Sequence, residues 1–186
     1  MSSPLPTDRR VAVHVSGSVA AYKACEVITA LRKSGCDVHV AMTPGAARFI
    51  TAVTLQSLSG HPVLDDAWEP VGGHGMGHIE LGAWAHVHVA VAASAGLIAR
   101  LAHGLVDDAV TTALLATRAP LLIAPAMETA MWEHPATSAN VETLRSRGVR
   151  FIGPVSGRLA SGADGVGRMA DVAAVVEETL ARLLDR

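Results

Sequence analysis

The sequence predicts an α/β protein in which one parallel sheet is covered by helices on both faces, and three observations carry that prediction. Short runs rich in Val, Ile and Ala alternate along the chain with longer segments of helical period. The runs are largely apolar rather than apolar at every second residue, the pattern of strands packed on both sides. Glycine, proline and serine punctuate the chain between runs, and no linker, repeat or low-complexity stretch divides it. With 186 residues, 50% of them apolar, one hydrophobic core suffices to hold the chain together.

Residues 10–16, RVAVHVS, form the first run, ending in Gly17-Ser18; Ala20 to Ser34 then keeps a helical period until Gly35 stops it. Asp37 to Met42 reads as a second strand, Thr43-Pro44-Gly45 as a turn and Ala46 to Ile50 as the opening of a short helix. This β-α-β order requires parallel pairing through a right-handed crossover. Residues 66–77 carry Pro70, Gly72, Gly73, Gly75 and Gly77 and read as a mobile loop. Val87 to Ala93 is the next strand, Ala95 to His103 a helix, Thr111 to Thr117 a further helical piece and Pro120 to Ala124 a strand. Ser138 to Arg147 forms a helix ended by Gly148, and Arg150 to Gly153 a last strand. A glycine-rich segment at 154–169 precedes a closing amphipathic helix from Asp171 to Leu184. Together these describe a doubly wound Rossmann-like (flavodoxin-like) parallel sheet, a single domain at 10–186 behind a polar, proline-containing tail at 1–9 that is expected to be disordered.

A formal net charge of −2 and the lack of any basic run argue against a nucleic-acid partner, whose binding rests on phosphate neutralisation. The longest apolar stretches are broken by His, Gly, Arg or Pro well short of the roughly 20 residues a spanning helix needs, so no membrane partner and a cytoplasmic location are expected. Cys25 and Cys36 have neither CxxC spacing nor neighbouring ligands and read as free, buried thiols.

In a doubly wound sheet, ligands lie beyond the carboxyl ends of the strands. The loops at 16–18, 43–48, 93–97 and 125–132 all follow strands and are expected to meet in one crevice. Ser16-Gly17-Ser18 opens a helix, where free N–H groups favour an anion, and Thr43 and Ser94 add hydroxyl donors. A Gly-Ser turn also serves any tight strand-to-helix connection, so it does not by itself specify a ligand. Without GxGxxG, the pattern suits one phosphate of a mononucleotide better than a dinucleotide.

Nine histidines raise the question of a metal. His86 and His88 project from one strand face without an evident third ligand, and HGMGH at 74–78 lacks the glutamate of HExxH, its glycines arguing against a helix; no metal site is assigned. His14 and His39 interrupt apolar runs as hydrogen-bonded core or crevice residues. His78 differs, because it follows the glycine-rich loop, where a general base can meet a substrate.

Five stretches carry a resemblance: GSVAAYK (17–23), HIELGAWA (78–85), AASAGLIARLAHGLVDD (92–108), PAMETAMWEHPAT (125–137) and GRLASGADGVGRMAD (157–171). They occur in the same order as motifs of the homo-oligomeric flavin-containing cysteine decarboxylases, and PAMETAMW is close to that family's PxMNxxMW signature. The chain resembles the family over most of residues 11–171. Its members are phosphopantothenoylcysteine decarboxylases and the peptidyl-cysteine decarboxylases of lantibiotic-type biosynthesis. The resemblance implies FMN as cofactor and a homo-oligomer, trimer or dodecamer, with each flavin at a subunit contact. It implies that Gly17, Ser18, Thr43 and Ser94 hold the phosphate and ribityl chain, that Ala93 and Met127 lie near the isoalloxazine, and that His78 is the catalytic histidine. The segment 157–169, with Ser161, Gly165, Arg168 and Met169, resembles the clamp that covers the substrate, and Met131 and Trp132 complete the expected substrate site.

Family enzymes pass a hydride from a cysteine Cβ–S unit to FMN; the resulting thioaldehyde is the electron sink that lets the carboxylate leave as CO2, giving an enethiolate. By this resemblance His78 takes the thiol proton or orients the thiolate. Two positions depart from the pattern. Phosphopantothenoylcysteine enzymes carry a clamp cysteine that takes part in reducing the enethiol, and this chain has Ser161, which lacks thiol redox chemistry. The peptide enzymes stop at the enethiol and do without that cysteine. A chain ending at Arg186 without an appended ligase domain is expected to lean the same way. Where the family carries an asparagine that holds the substrate carboxylate, this chain has Glu128, and two carboxylates about 4 Å apart repel by roughly 4 kcal/mol at an effective dielectric of about 20. Relief comes if Glu128 is protonated and donates a hydrogen bond, if it pairs with a cation such as Arg168 or a substrate amine, or if decarboxylation has been lost.

The leading expectation is oxidative decarboxylation of the C-terminal cysteine of a precursor peptide to an aminoenethiol, in aminovinyl-cysteine biosynthesis, with His78 and Glu128 catalytic. The alternatives are phosphopantothenoylcysteine decarboxylation in coenzyme A biosynthesis, acting on a small cysteine conjugate, and a non-catalytic flavin-binding regulatory homologue.

Overall fold

The computed structural model describes residues 8–67 and 77–184. The tail expected at 1–9 and the loop expected at 66–77 fall almost wholly outside the described residues. Six parallel strands form the sheet: β1 (Arg10–Val15), β2 (Asp37–Met42), β3 (Val63–Leu64), β4 (Val87–Ala93), β5 (Leu121–Pro125) and β6 (Arg150–Phe151). Their order is β3-β2-β1-β4-β5-β6, so the chain winds from β1 to one edge, returns to β4 and winds to the other. This Rossmann order puts the topological switch point between β1 and β4, where a doubly wound sheet leaves a crevice.

The two faces of the central strands differ in side-chain size, which assigns the helices. Val11, Val13 and Val15 of β1 and Val87, Val89 and Val91 of β4 form one core with α1 (Lys23–Lys33), α2 (Ala52–Ser59) and, from the other end of the chain, a C-terminal helix at Val172–Leu184. Ala12, Ala41, Ala90 and Ala93 line the other face, packed by α3 (Gly77–Trp84), α4 (Ala95–His103), α5 (Ala109–Leu115) and, through Val141 and Leu144, the helix at Pro135–Ser146. Small residues on that face let the helices sit close without aromatic filling. The remaining helices are α6 (Thr129–Trp132), α7 (Pro135–Ser146) and α8 (Val172–Leu184).

Several boundaries differ from the expectation for identifiable reasons. The helix read at 20–34 begins as a 3-10 turn, Val19–Tyr22, before α1. The piece read at 111–117 is shifted to Ala109–Leu115 because Asp108 and Thr111 form a capping box. The helix read from Ser138 starts at Pro135, capped by the His134 side chain. The last strand, read to Gly153, ends at Phe151. HGMGH, whose glycines argue against a helix, lies mostly outside the described residues, but its last two positions, Gly77 and His78, open α3. Farther along α3, a Cβ on Gly82 would approach the Ala113 carbonyl oxygen of α5 to 3.1 Å. The glycine-rich segment 154–169 contains an antiparallel hairpin, β7 (Val155–Arg158) and β8 (Asp164–Arg168).

Candidate active site

A cavity of about 410 Å³, within the range of small-molecule sites, opens at the carboxyl ends of β1, β4 and β5. Gly17 and Ser18 after β1, Ser94 after β4, and Met127, Glu128 and Met131 after β5 form its walls. Arg168 and Met169 close it from the hairpin side. Eight of the residues expected from the sequence are therefore brought together.

Ser16 builds the switch point. Its buried hydroxyl donates to the Ala92 carbonyl and accepts from the Ser94 N–H, both at 2.9 Å. Ala92 has φ +56°, a left-handed conformation costly for a residue with a Cβ, inside the irregularity between Val91 and Ala93. The Ser16 bridge holds that kink, and Ser94 then caps α4 by accepting from the Leu97 N–H at 3.2 Å. Gly17 must be glycine for packing: a Cβ there would lie 2.9 Å from the Gly45 carbonyl carbon, so the loop after β1 rests on the turn after β2. Thr43 holds that turn, accepting from the Ala46 N–H at 3.2 Å. Thr43 and Ala93, expected to touch the cofactor, lie fully buried behind the cavity wall and do not line it.

The spacing of glycines in GVGRM follows from docking of the hairpin. The Met127 N–H donates to the Gly167 carbonyl at 3.0 Å. A Cβ on Gly167 would meet the Met127 carbonyl oxygen at 2.1 Å, and one on Gly165 the Thr129 hydroxyl at 2.2 Å. Gly165 thus makes room for α6, and it does not line the cavity. Trp132, expected at the substrate, packs half-buried against the alanine-lined core and also lies outside the cavity lining.

The hairpin tip makes a contact with a wall of the cavity. Ser161 donates from its hydroxyl to Glu128 Oε2 at 2.9 Å and from its N–H to Glu128 Oε1 at 3.3 Å. The pairing of Glu128 with Arg168 allowed for above is replaced by this contact, and Arg168 lies 3.5 Å from Asp171 instead. Lys23, Arg158 and Arg168 line the cavity, three cations against one carboxylate, so its field favours an anionic ligand. Sequence reasoning passed over Lys23 and Arg158, which stand in GSVAAYK and in the clamp motif, and it placed Ser16 in the anion-binding turn without its buried bridge between β1 and β4.

His78 sits in the first turn of α3, buried, with Nδ1 2.8 Å from the Ala67 carbonyl. A carbonyl can only accept, so Nδ1 carries the proton and Nε2 is left as an acceptor. His78 does not line the cavity of its own protomer. His14 and His88, fully buried in adjacent strands, meet at 2.8 Å through Nε2 and Nδ1. Burial, then the His88 neighbour, holds His14 well below the usual imidazole range, and burial lowers His88 to about 4. At the opposite end of the sheet Asp37, His39 and His61 each bring one donor atom to within 4.8 Å of the others, and Asp37 already hydrogen-bonds His61 at 2.7 Å. His39 stacks on the His61 ring and meets the Trp84 ring at a tilt, each with centroids 4.0 Å away, which accounts for a polar residue in that run.

Comparison with known proteins agrees with this geometry. The Flavoprotein family model matches residues 2–184. The solved FMN-dependent cysteine decarboxylase SpaF is 32% identical with a TM-score of 0.83, over 95% of this chain and 98% of that one. The chain belongs to the flavin-containing cysteine decarboxylase family. A second member, a cysteine-to-serine mutant of a PPC decarboxylase complexed with pantothenoylaminoethenethiol, is 31% identical with a TM-score of 0.82, over 92% of this chain and 96% of that one. Among curated relatives, the coenzyme A biosynthesis bifunctional protein CoaBC of Escherichia coli is 46% identical over 173 residues, 93% of this chain. The CoaBC of Mycolicibacterium smegmatis is 44% identical over 176 residues, 95% of this chain. The chain spans 43% and 42% of the length of these two relatives, less than half of each. Among the described residues, no helix of this family member is long and apolar enough to cross a membrane.

Proposed function

We propose that the protein is an FMN-dependent decarboxylase of a small cysteine conjugate of the phosphopantothenoylcysteine kind, and that it releases the aminoenethiol. The carrying observation is the cation-lined cavity at the switch point, closed by a hairpin whose tip offers a serine and no thiol. The CoaBC relatives favour a small conjugate over the peptide that Ser161 alone had favoured. The complex of a cysteine-to-serine PPC decarboxylase mutant with an aminoethenethiol supports the stopping point, because Ser161 cannot contribute a thiol to the reduction.

The residues present fit FMN. The bare Cα of Gly17, the Ser18 and Ser94 hydroxyls and Lys23 surround space suited to a phosphate, while Met127 and Ala126 offer an apolar wall. FMN, when bound, would supply a two-electron acceptor for the cysteine conjugate, and because the oxidised product leaves, an external oxidant such as dioxygen takes those two electrons before the next turnover. The chain itself orients the substrate between Met131 and Met169, excludes water with the hairpin, and balances the substrate's charge with Arg158 and Arg168. His78 accepts the thiol proton at Nε2 and is supplied by a neighbouring copy in a homo-oligomer, a trimer or a dodecamer.

The test is mass spectrometry of the flavin-loaded protein with phosphopantothenoylcysteine and with a cysteine-ended peptide. The expected product from the small conjugate has lost CO2 and two hydrogens. Loss of CO2 alone would overturn the stopping point, and turnover of the peptide only would return the assignment to the peptidyl branch that Ser161 also fits.

A further inference from the structure

The two positions at which this chain departs from the family's pattern touch each other. Glu128 and Ser161 are 33 residues apart and joined by two hydrogen bonds, one to each carboxylate oxygen. The Ser161 hydroxyl is itself oriented, since its oxygen accepts from the Ala163 N–H at 3.4 Å while its proton goes to Glu128. Glu128 occupies the N-cap position of α6 yet makes no side-chain cap hydrogen bond. The asparagine of the family pattern is a strong capping residue, whereas glutamate is one methylene longer, and here it reaches across to the hairpin instead. The chemistry is matched as well: a hydroxyl bonding a carboxylate is a charge-assisted donor, and a thiol in its place is a weak one.

We propose that Glu128 and Ser161 act as one coupled unit. Ser161 is a positioning residue that draws the Glu128 carboxylate onto the hairpin tip and away from the substrate carboxylate, and the same contact latches the hairpin over the cavity. The repulsion expected from a glutamate at this place is thereby reduced by the second substitution, and neither change is tolerated as well without the other. The charge-shielding half of this proposal rests on the cavity being the site of a cysteine conjugate; the latch does not.

The experiment is a double-mutant cycle of Glu128→Gln and Ser161→Ala in the flavin-loaded protein, with two readouts. Hydrogen exchange of the amides at 155–168 reports the latch. Binding of pantothenoylcysteine and of pantetheine, which lacks the carboxylate, reports the shielding. S161A is expected to speed hairpin exchange and to weaken pantothenoylcysteine about tenfold while leaving pantetheine within about twofold, because a freed carboxylate repels only the charged ligand. E128Q is expected to speed exchange less, its amide oxygen still accepting from Ser161, and adding it to S161A is expected to restore pantothenoylcysteine binding. Effects that simply add in the cycle overturn the coupling, and equal weakening of both thiols by S161A overturns the shielding. If the unaltered holoprotein binds neither thiol, the substrate assignment fails, and hairpin exchange alone decides: non-additive rates support the latch and additive rates remove it.

Discussion

Ser16→Ala is the sharpest probe of the switch point, because one buried hydroxyl there satisfies two backbone groups from the far side of a crossover. The residue is fully buried, and both of its hydrogen bonds are 2.9 Å long. Removing the hydroxyl leaves the Ala92 carbonyl and the Ser94 N–H without that partner. Each unsatisfied buried group costs about 1–3 kcal/mol, so the expected loss for the two is about 2–6 kcal/mol. For a chain of this size each kcal/mol corresponds to about 2–4 °C, giving a melting temperature lower by roughly 4–24 °C. The left-handed Ala92 also loses the contact that holds its kink, so the Ser94 end of the cavity is expected to shift and FMN to bind more weakly. Calorimetry of the flavin-free protein and fluorescence titration with FMN measure the two effects. A fall of less than about 2 °C would refute the account of Ser16 as the residue that fixes the β1–β4 junction.

Other perturbations follow from the same contacts. Gly17→Ala forces a Cβ to within 2.9 Å of the Gly45 backbone, and FMN titration is expected to show an affinity loss of about tenfold or more, since both strand-end loops must move apart. Gly167→Ala places a Cβ 2.1 Å from the Met127 carbonyl oxygen; limited proteolysis is expected to cut within 155–168 far faster than in the parent while the sheet's melting temperature changes little. His14 and His88 are both held below the usual imidazole range by burial, so the unfolded chain binds more protons than the folded one in mild acid. Stability is full above about pH 6.5 and is lost as pH falls toward 4, by about 3 kcal/mol from His88 alone. Urea midpoints against pH measure it, and His88→Leu is expected to flatten the profile.

Which parts of this molecule were legible in its sequence depended on how local the causes are. β1, β2, β4 and β5 are runs with strong apolar character bounded by turn residues, and each was placed within a residue or two. α2, AVTLQSLS, buries only Leu55 and Ser59 and has little periodicity to read, and β3 is two residues long. The glycine-rich segment at 154–169 was assigned no regular structure, because its glycines resemble turn residues; only the docked structure shows that Gly165 and Gly167 are small for the sake of Thr129 and Met127. Within the site, Gly17, Ser18, Ser94, Met127, Glu128, Met131, Arg168 and Met169 were found from their motifs. Ser161 was found as well, but its partner was not, because a contact across 33 residues leaves no mark in local pattern. Ala93, Gly165 and Trp132 share motifs with the cavity residues, and Thr43 follows β2 as Ser94 follows β4, yet none of the four lines the cavity, a distinction that spacing alone does not carry.

The position of His78 decides how copies of this chain must meet if it is to act at the cavity. α3 ends at Trp84, which lies by Arg10 at the amino end of β1, so the helix runs back along the sheet and its first turn reaches the carboxyl rim. There His78 bonds the Ala67 carbonyl, just past the edge strand β3, whereas the cavity lies over β1, β4 and β5. The two halves of the site are therefore different patches of one surface. For His78 to act at the cavity it must come from a neighbouring copy, an arrangement that a reciprocal two-fold contact or a closed ring can each supply. Two variants then make a decisive mixture: His78→Ala lacks one half and Gly17→Ala the other, and with FMN held well below the weakened affinity of Gly17→Ala each alone is expected to show little or no turnover. Refolded together, they form some interfaces between an intact cavity and an intact histidine, and turnover of phosphopantothenoylcysteine is expected to return to roughly a quarter of the parent rate at equal proportions if assortment is random. No recovery in mixed oligomers that still bind FMN would place His78 outside the chemistry and leave proton transfer to groups within a single protomer.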